Sequence, residues 1–372
     1  MTRRRLPMVT GRTMDSRADR TTVSPSVSLL LGLALAALAA PALAQQPDGT
    51  PDRRPAPLFR DEDPLTITLI ADFKRVFRDR DTLSTERFPA TLSYRTDAGD
   101  TGSMAVELST RGHSRLQASV CDFPPLRVHL GGSEGRPPLL QGTASSLKLG
   151  VNCRPRDRAY EQFVLEEYLL YRLYNLFTDW SYRARLLRAT YVQADKGDTV
   201  TTTWSFFLEP DDDMARRNGG AVFETPGVRW RDVDSVTVLT ASLYQYLIGN
   251  TDWALPLLHN MRVVRVEPGF YYPVPYDFDF SGIIKTPYAS PSPRLPIRSV
   301  RQRLWRGPCA DMAVLAPIMA QFNEQKDSVY ALYRSLPGHD PRRAESAIKY
   351  LEDFYKVIND PKKARSEFTY AC

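Results

Sequence analysis

The sequence predicts an α+β chain in two lobes: a mostly antiparallel, β-rich N-lobe with one buried helix, then a mainly α-helical C-lobe. Two patterns predict it. From residue 65 onward, short segments such as "LTITLIADF", "FPATLSYRT" and "SMAVELSTRG" alternate apolar and polar residues, the period of a half-buried strand. From Val233 onward the apolar residues follow helical spacing instead. A hydrophobic content of 42% with 10% aromatics supplies a sizeable core and excludes a disordered chain.

The elements follow in order. Residues 1–44 have the layout of an export signal: a basic stretch, an apolar run from Val27 to Ala40, and small residues at Ala42 and Ala44, predicting cleavage after Ala44. The run is short for a spanning helix, which needs about 20 apolar residues. The protein is therefore expected to be exported to the periplasm, cell envelope or exterior, and to meet a membrane only if this signal stays uncleaved. The same segment holds six Arg and two Asp, +4 of the overall +6, which leaves +2 for residues 45–372. A nucleic-acid partner, which the total charge invites, is therefore not expected. Residues 45–60, "QQPDGTPDRRPAPLFR", read as a Pro-rich linker. The N-lobe then spans 61–210 and the C-lobe 211–372.

In the N-lobe, "FPATLSYRT" and "SMAVELSTRG" form a hairpin across "DAGDTG", and "FPPLRVHL" and "SSLKLGV" add two strands. The helix "DRAYEQFVLEEYLLYRLYNLF" has Asp157 as its N-cap and apolar side chains almost all round, the mark of burial. Glu166 and Glu167 fall among Phe163, Leu170, Leu173 and Tyr174, so each needs a cationic partner. "ARLLRATYVQA" and "TTWSFFLEP" are two more strands, and "EPDDDMARRNGG" reads as the crossing between lobes. The C-lobe opens with the helix "SVTVLTASLYQYLIG". It closes with two long helical stretches, the first expected to break or bend at Pro317. A sheet with one buried helix followed by a helical lobe is the outline of a protein-kinase-like fold.

Four cysteines fit an oxidising compartment and show no CxxC-type metal spacing. They allow three pairings; Cys121 and Cys153 flank adjacent strands and are the preferred disulfide, and the pairing of Cys309 and Cys372 stays open.

The chemistry concentrates in "IGNTDWALPLLHN" and "VPYDFDFSG". Phosphoryl transfer needs a carboxylate facing the acceptor hydroxyl, an Asn and a second carboxylate on Mg²⁺, and a Lys on the phosphates. The sequence places Asp252, then Asn260, then two short strands, then Asp277 and Asp279. Each residue alone also reads as turn or cap: Gly249 and Asn250 tolerate left-handed backbone, and Asp caps helices.

With "TRGHS" (Thr110 to Ser114) and a later "LKL", these stretches resemble the CotH family, the spore-coat-type atypical secretory kinases, over about residues 63–290. Its members typically carry an Arg-Gly-Asn-Ser element, an Asn-x-Asp-Trp stretch ending in Asn, and an Asp-x-Asp after a short hairpin. The resemblance implies ATP-dependent phosphorylation of protein Ser or Thr hydroxyls with Mg²⁺ or Mn²⁺. Asp252 is then the catalytic carboxylate, Asn260 a metal ligand, and Asp277, with Asp279 as second candidate, the metal-binding Asp. Arg111 and Ser114 face phosphate or only turn a strand end. The sequence departs from the pattern: His113 replaces Asn, His259 stands where a paired Asn often occurs, and Arg127 and His129 lie where relatives carry Lys. Lys148 becomes the ATP-lysine candidate, paired with Glu167 or with Glu166. No nucleotide-binding glycine loop is present, which favours the alternative of a non-enzymatic envelope protein binding a nucleotide, metal or partner. A DxD glycosyltransferase is the third reading, disfavoured by the lack of alternating strands and helices.

Overall fold

The computed structural model describes residues 53–370. The expected export signal and cleavage site, the first half of the expected linker (45–52) and Cys372 lie outside the described residues.

The strands expected in the first half are present: β1 (Leu65–Ala71), β2 (Phe88–Arg95), β3 (Thr101–Thr110), β4 (Leu126–His129) and β5 (Ser146–Gly150). A four-residue helical turn, α1 (Phe73–Val76), follows β1, capped by the Asp72 side chain. The buried helix is α2 (Arg158–Tyr174), and Asp157 caps it by accepting a hydrogen bond from the Ala159 amide. Next come β6 (Ala184–Gln193), β7 (Thr199–Leu208), α3 (Asp211–Arg217) and β8 (Ala221–Phe223). The remainder is α4 (Ser235–Ile248), β9 (Met261–Val266), β10 (Phe270–Pro275), α5 (Met312–Glu324), α6 (Lys326–Ser335), α7 (Pro341–Ile358) and α8 (Pro361–Phe368). Helix α5 runs on through Pro317, contrary to the expected break, and the chain re-starts at Gln325 instead.

How these elements assemble overturns the two-lobed, kinase-like arrangement. The first seven strands close into a barrel in the order β1-β2-β3-β4-β5-β7-β6. Closure is made by β1 lying parallel to β6, Leu65 opposite Leu187 through Ala71 opposite Gln193, while the other pairings are antiparallel. Alternate residues such as Leu65, Ile67, Leu69, Leu92, Val128, Leu149 and Tyr191 fill the interior. A separate three-stranded sheet, β10-β9-β8, lies within what was expected to be a helical lobe, and "EPDDDMARRNGG" is α3 and its turn rather than a crossing between lobes.

Helix α2 is the physical reason that the chain does not divide. Its residues Leu165, Leu169, Tyr171 and Tyr174 share one buried cluster with the outer faces of β6 and β7, with α4, and with α5 to α8. The described residues therefore fall within one compact unit. Cys121 and Cys153 form the expected disulfide. Cys309 is disulfide-bonded too, and Cys372 lies outside the described residues. No helix among the described residues is long and apolar enough to cross a membrane.

Asp211 ties the barrel to the second sheet. Its carboxylate accepts from Lys148 on β5 at 2.8 Å, from Arg262 on β9 at 2.9 Å and from the Tyr182 hydroxyl at 3.0 Å. Burial alone would raise its pKa, but Lys148 and Arg262 outweigh that and hold it at about 2. Lys148 is shifted the unfavourable way, downward, because burial strips its solvation and Arg111 and Arg262 also face it. The gain thus resides on the carboxylate, which has two cations, and part of it is spent on Lys148. An unfolded Asp titrates near ~3.9, so this stabilisation is complete above about pH 4 and is lost as pH falls through about 2. Asp211→Asn is expected to lower unfolding free energy by about 1–2 kcal/mol at pH 7. Denaturant titrations of variant and wild type should converge as the pH approaches 2.

Candidate functional site

The two acidic stretches meet at one cavity of about 370 Å³, lined by Asp252, His259, Asn260, Asp277 and Asp279 together with Arg111, His113, Ser114 and Arg115. A cavity of similar size, about 400 Å³, lies beside Phe223 and Tyr271, but its charged lining is only Arg229 and Asp232, which pair with each other.

Each segment reaches the cavity for a local reason. Helix α4 ends in Gly249, left-handed at φ +67°, and the Asn250 side chain accepts from the Asp252 amide at 3.0 Å. The cap-and-turn reading of "GNTD" is thus correct for Gly249 and Asn250, and this turn leaves the Asp252 side chain at the cavity. The eight residues to Asn260 close on themselves through an isolated bridge, Ala254 and His259 exchanging two backbone hydrogen bonds. Pro256 sits in the 3-10 turn at the tip of this excursion. Asn260 therefore returns beside Asp252, and its Nδ2 donates to the Asp252 carbonyl at 2.7 Å and to Oδ2 at 3.1 Å. Oδ1 of Asp252 lies 3.0 Å from His259 Nε2. That bond, against the cost of burial, raises the pKa of His259.

After β10 the Tyr276 amide bonds the Asn260 carbonyl, and Phe278 inserts into the core against Tyr171 and Tyr244. The flanking Asp277 and Asp279 are thereby turned to the cavity. Among the described residues four non-glycines have positive φ, and three of them, Leu258, Asn260 and Asp277, line this cavity. Such backbone costs energy and persists where packing over-determines it, often at functional sites.

The centre of the site is Arg115, one residue past the "TRGHS" stretch. Its guanidinium reaches Glu167 at 3.4 Å, Asp277 at 3.3 Å and Asp279 at 3.4 Å, with only 10% of its side chain exposed. Burial works against the charge of Arg115, but Asp279 and Glu167 more than offset it and raise its pKa. The carboxylates see the reverse. Burial, partly countered by Arg115 and reinforced by Asp277 and Glu167, pushes Asp279 up to about 8. Glu167 is raised for the same reason, burial first. One cation shared by three acids is itself better satisfied than Glu167 or Asp279 is, and acids outnumber cations around it. Arg111 adds a second cation; its Nε donates to the Leu126 carbonyl at 3.2 Å, and it makes no ion pair among the described residues. Burial and Arg115 lower its pKa.

The oxygen donors Asp277, Asn260 and Asp279 are of the type Mg²⁺ or Mn²⁺ takes. Among the described residues no three His, Cys, Asp or Glu side chains are arranged to hold a metal ion by themselves. The donor set fits a cation held by one or two carboxylates and completed by phosphate oxygens and water, the usual habit of Mg²⁺. Asp277 is the better placed ligand: 36% of its side chain is exposed and Arg115 engages only Oδ1, whereas Asp279 is buried, engaged by Arg115 and pushed up to about 8.

The expected Lys148–Glu167 pair is not formed. Glu167 belongs to Arg115, and Glu166 points the other way, to Arg343 at 2.6 Å and His339 at 3.2 Å. Lys148 pairs with Asp211 in a smaller recess of about 210 Å³ with Arg127 and Arg262, separated from the site by the Tyr276 ring, 5.1 Å away. His129 bonds Ser109 on the barrel wall. Sequence reasoning missed Arg115; its one signal was that two buried glutamates on the helix required cations.

No protein-family model matches the chain, and no curated protein matches it in sequence.

Removing the shared cation should cost far more than removing a surface ion pair. Arg115→Leu is expected to destabilise by about 3–5 kcal/mol, because three carboxylates are left without it. Adding Glu167→Gln and Asp279→Asn should recover a large part of the loss in denaturant titrations. A loss below about 1 kcal/mol would mean that Arg115 is an ordinary surface contact.

Proposed function

We propose that this protein binds a nucleoside triphosphate with Mg²⁺ or Mn²⁺ at the Asp252–Asp277 cavity and transfers a phosphoryl group to a Ser or Thr hydroxyl of a protein substrate. One observation carries the reading: Asp252, Asn260, Asp277 and Arg111, predicted from separate stretches, line a single cavity where acids outnumber cations. The resemblance of "GNTDW…HN" and "PYDFDFSG" to the CotH family points the same way. The cation and phosphate roles rest on the site, and the Ser or Thr acceptor rests on that resemblance.

In this reading Asp277, through the oxygen that Arg115 leaves free, and Asn260, through its amide oxygen, hold the cation. A bound Mg²⁺ would neutralise charge on the phosphate oxygens and orient them. The donors of Arg111 not used on Leu126 face the phosphates, a task for which a guanidinium suits as well as a lysine. The acceptor hydroxyl oxygen attacks the terminal phosphorus as the bond to the bridging oxygen breaks, releasing the diphosphate. Asp252, its position fixed by Asn260 and His259, accepts the hydroxyl proton. Arg115 holds Asp277 in place and Asp279 behind it.

A second reading, nucleotide or metal binding without transfer, is favoured by a specific observation: among the described residues no lysine lines the cavity, and Lys148 is engaged by Asp211. Incubation of the purified protein with labelled ATP and Mg²⁺ or Mn²⁺ separates the two. Transfer by wild type is expected to fall about 10²-fold or more in Asp252→Ala with ATP binding retained. Asp277→Ala should lose cation-dependent binding. Equal transfer by all three proteins would overturn the assigned roles, binding without transfer would leave the second reading, and no ATP binding would remove both.

A further inference from the structure

We infer that Arg306 is a positioning residue for Asp252, holding the peptide groups on both sides of it; the inference rests on the proposed role of Asp252. Asp252 lies in a stretch with neither helix nor strand, between α4 and the 3-10 turn Leu255–Leu257. Such a stretch, left to itself, samples many backbone conformations. Here three successive carbonyls are each taken by a side chain from elsewhere in the chain. Arg306 Nη1 donates to the Thr251 carbonyl at 2.5 Å and to the Trp253 carbonyl at 2.7 Å, and Asn260 Nδ2 donates to the Asp252 carbonyl between them at 2.7 Å. Three consecutive peptide planes are fixed, which fixes the backbone torsions of Asp252 and Trp253. The side chain is then set by Asn260 and His259 on its two oxygens.

Arg306 is itself held firmly. The neighbouring Trp305 is 1% exposed, packs edge-on with Tyr246 and at a tilt with Phe368, and donates from Nε1 to the Pro308 carbonyl at 2.8 Å. The Tyr370 hydroxyl donates to the Trp305 carbonyl at 2.5 Å. The clamp therefore connects Asp252 to the helical core rather than to another loop. Arg306 is not among the residues lining the cavity; it acts there through the backbone of Asp252 and through its charge on Asp252 and His259. Reaction rates are sensitive to placement: an error of about 1 Å costs on the order of 10²-fold.

The test uses the full protein with Arg306→Met and Arg306→Lys. A single nitrogen serves both carbonyls, so a lysine ammonium, with three donors, can substitute in part, while methionine leaves both carbonyls without a donor. Arg306→Met is expected to lower kcat about 30–100-fold with KM for ATP within about twofold, and Arg306→Lys to restore at least about tenfold of that loss. Amide hydrogen exchange in the 251–254 segment should rise in Arg306→Met and return in Arg306→Lys. Unchanged kcat in Arg306→Met, or a loss that falls equally on kcat and ATP binding, overturns the inference. If the wild type transfers no phosphate, the functional reading fails by itself and the exchange data decide the clamp: faster exchange confined to 251–254 supports it, and equal exchange overturns it. If Arg306→Met does not fold, Arg306→Lys carries the same two measurements against wild type, with an intermediate effect expected and none contradicting.

Discussion

The site depends on one guanidinium. Arg115 enters from the loop after β3, and its three acidic partners come from the middle of α2 and from the turn after β10. Barrel, buried helix and second sheet therefore converge on a single buried charge. A charge in such a place is tolerable only when paired, and it is paired here to excess on the acidic side. Burial first, and the neighbouring acids after it, push Asp279 up to about 8, while Asp277 faces the cavity with one oxygen that Arg115 does not engage. In the proposed reading a further cation would take up that oxygen, and Arg111 would meet the phosphates.

Around this centre the backbone is held in place by ordinary devices. Gly249 ends α4 in a left-handed residue, and Phe278 anchors the turn between two acids. The Ala254–His259 bridge lets an eight-residue step behave as a short one. The left-handed Leu258, Asn260 and Asp277 are the price of bringing these pieces together.

Much of this was legible in the sequence. Period-2 alternation located β1 to β7, and the wheel of α2 marked it as buried with two glutamates in need of partners. Asp157 and the Cys121–Cys153 pair were also read directly. What escaped was pairing over distance. Nothing in the alternation of "LTITLIA" says that its free edge meets "ARLLRATYVQ" about 120 residues later, yet that parallel contact closes the barrel and overturns the two-lobed reading. Lys148 was assigned to Glu167, or to Glu166, to match the strand-lysine and helix-glutamate pair that the resemblance implies, but Asp211 lay nearer in the fold, and Arg115 took Glu167. The order Asp252, Asn260, Asp277 was recoverable because the hairpin of β9 and β10 that joins them is local.

The central claim is that Asp277 marks a cation and phosphate site. Crystals grown with Mn²⁺ and a non-hydrolysable ATP analogue test it most directly, through the anomalous signal of the metal. The account predicts a Mn²⁺ peak in coordination distance of Asp277 and Asn260, about 2.0–2.2 Å, with phosphate oxygens toward Arg111. An ion elsewhere, or a cavity that binds neither metal nor nucleotide under these conditions, would contradict it.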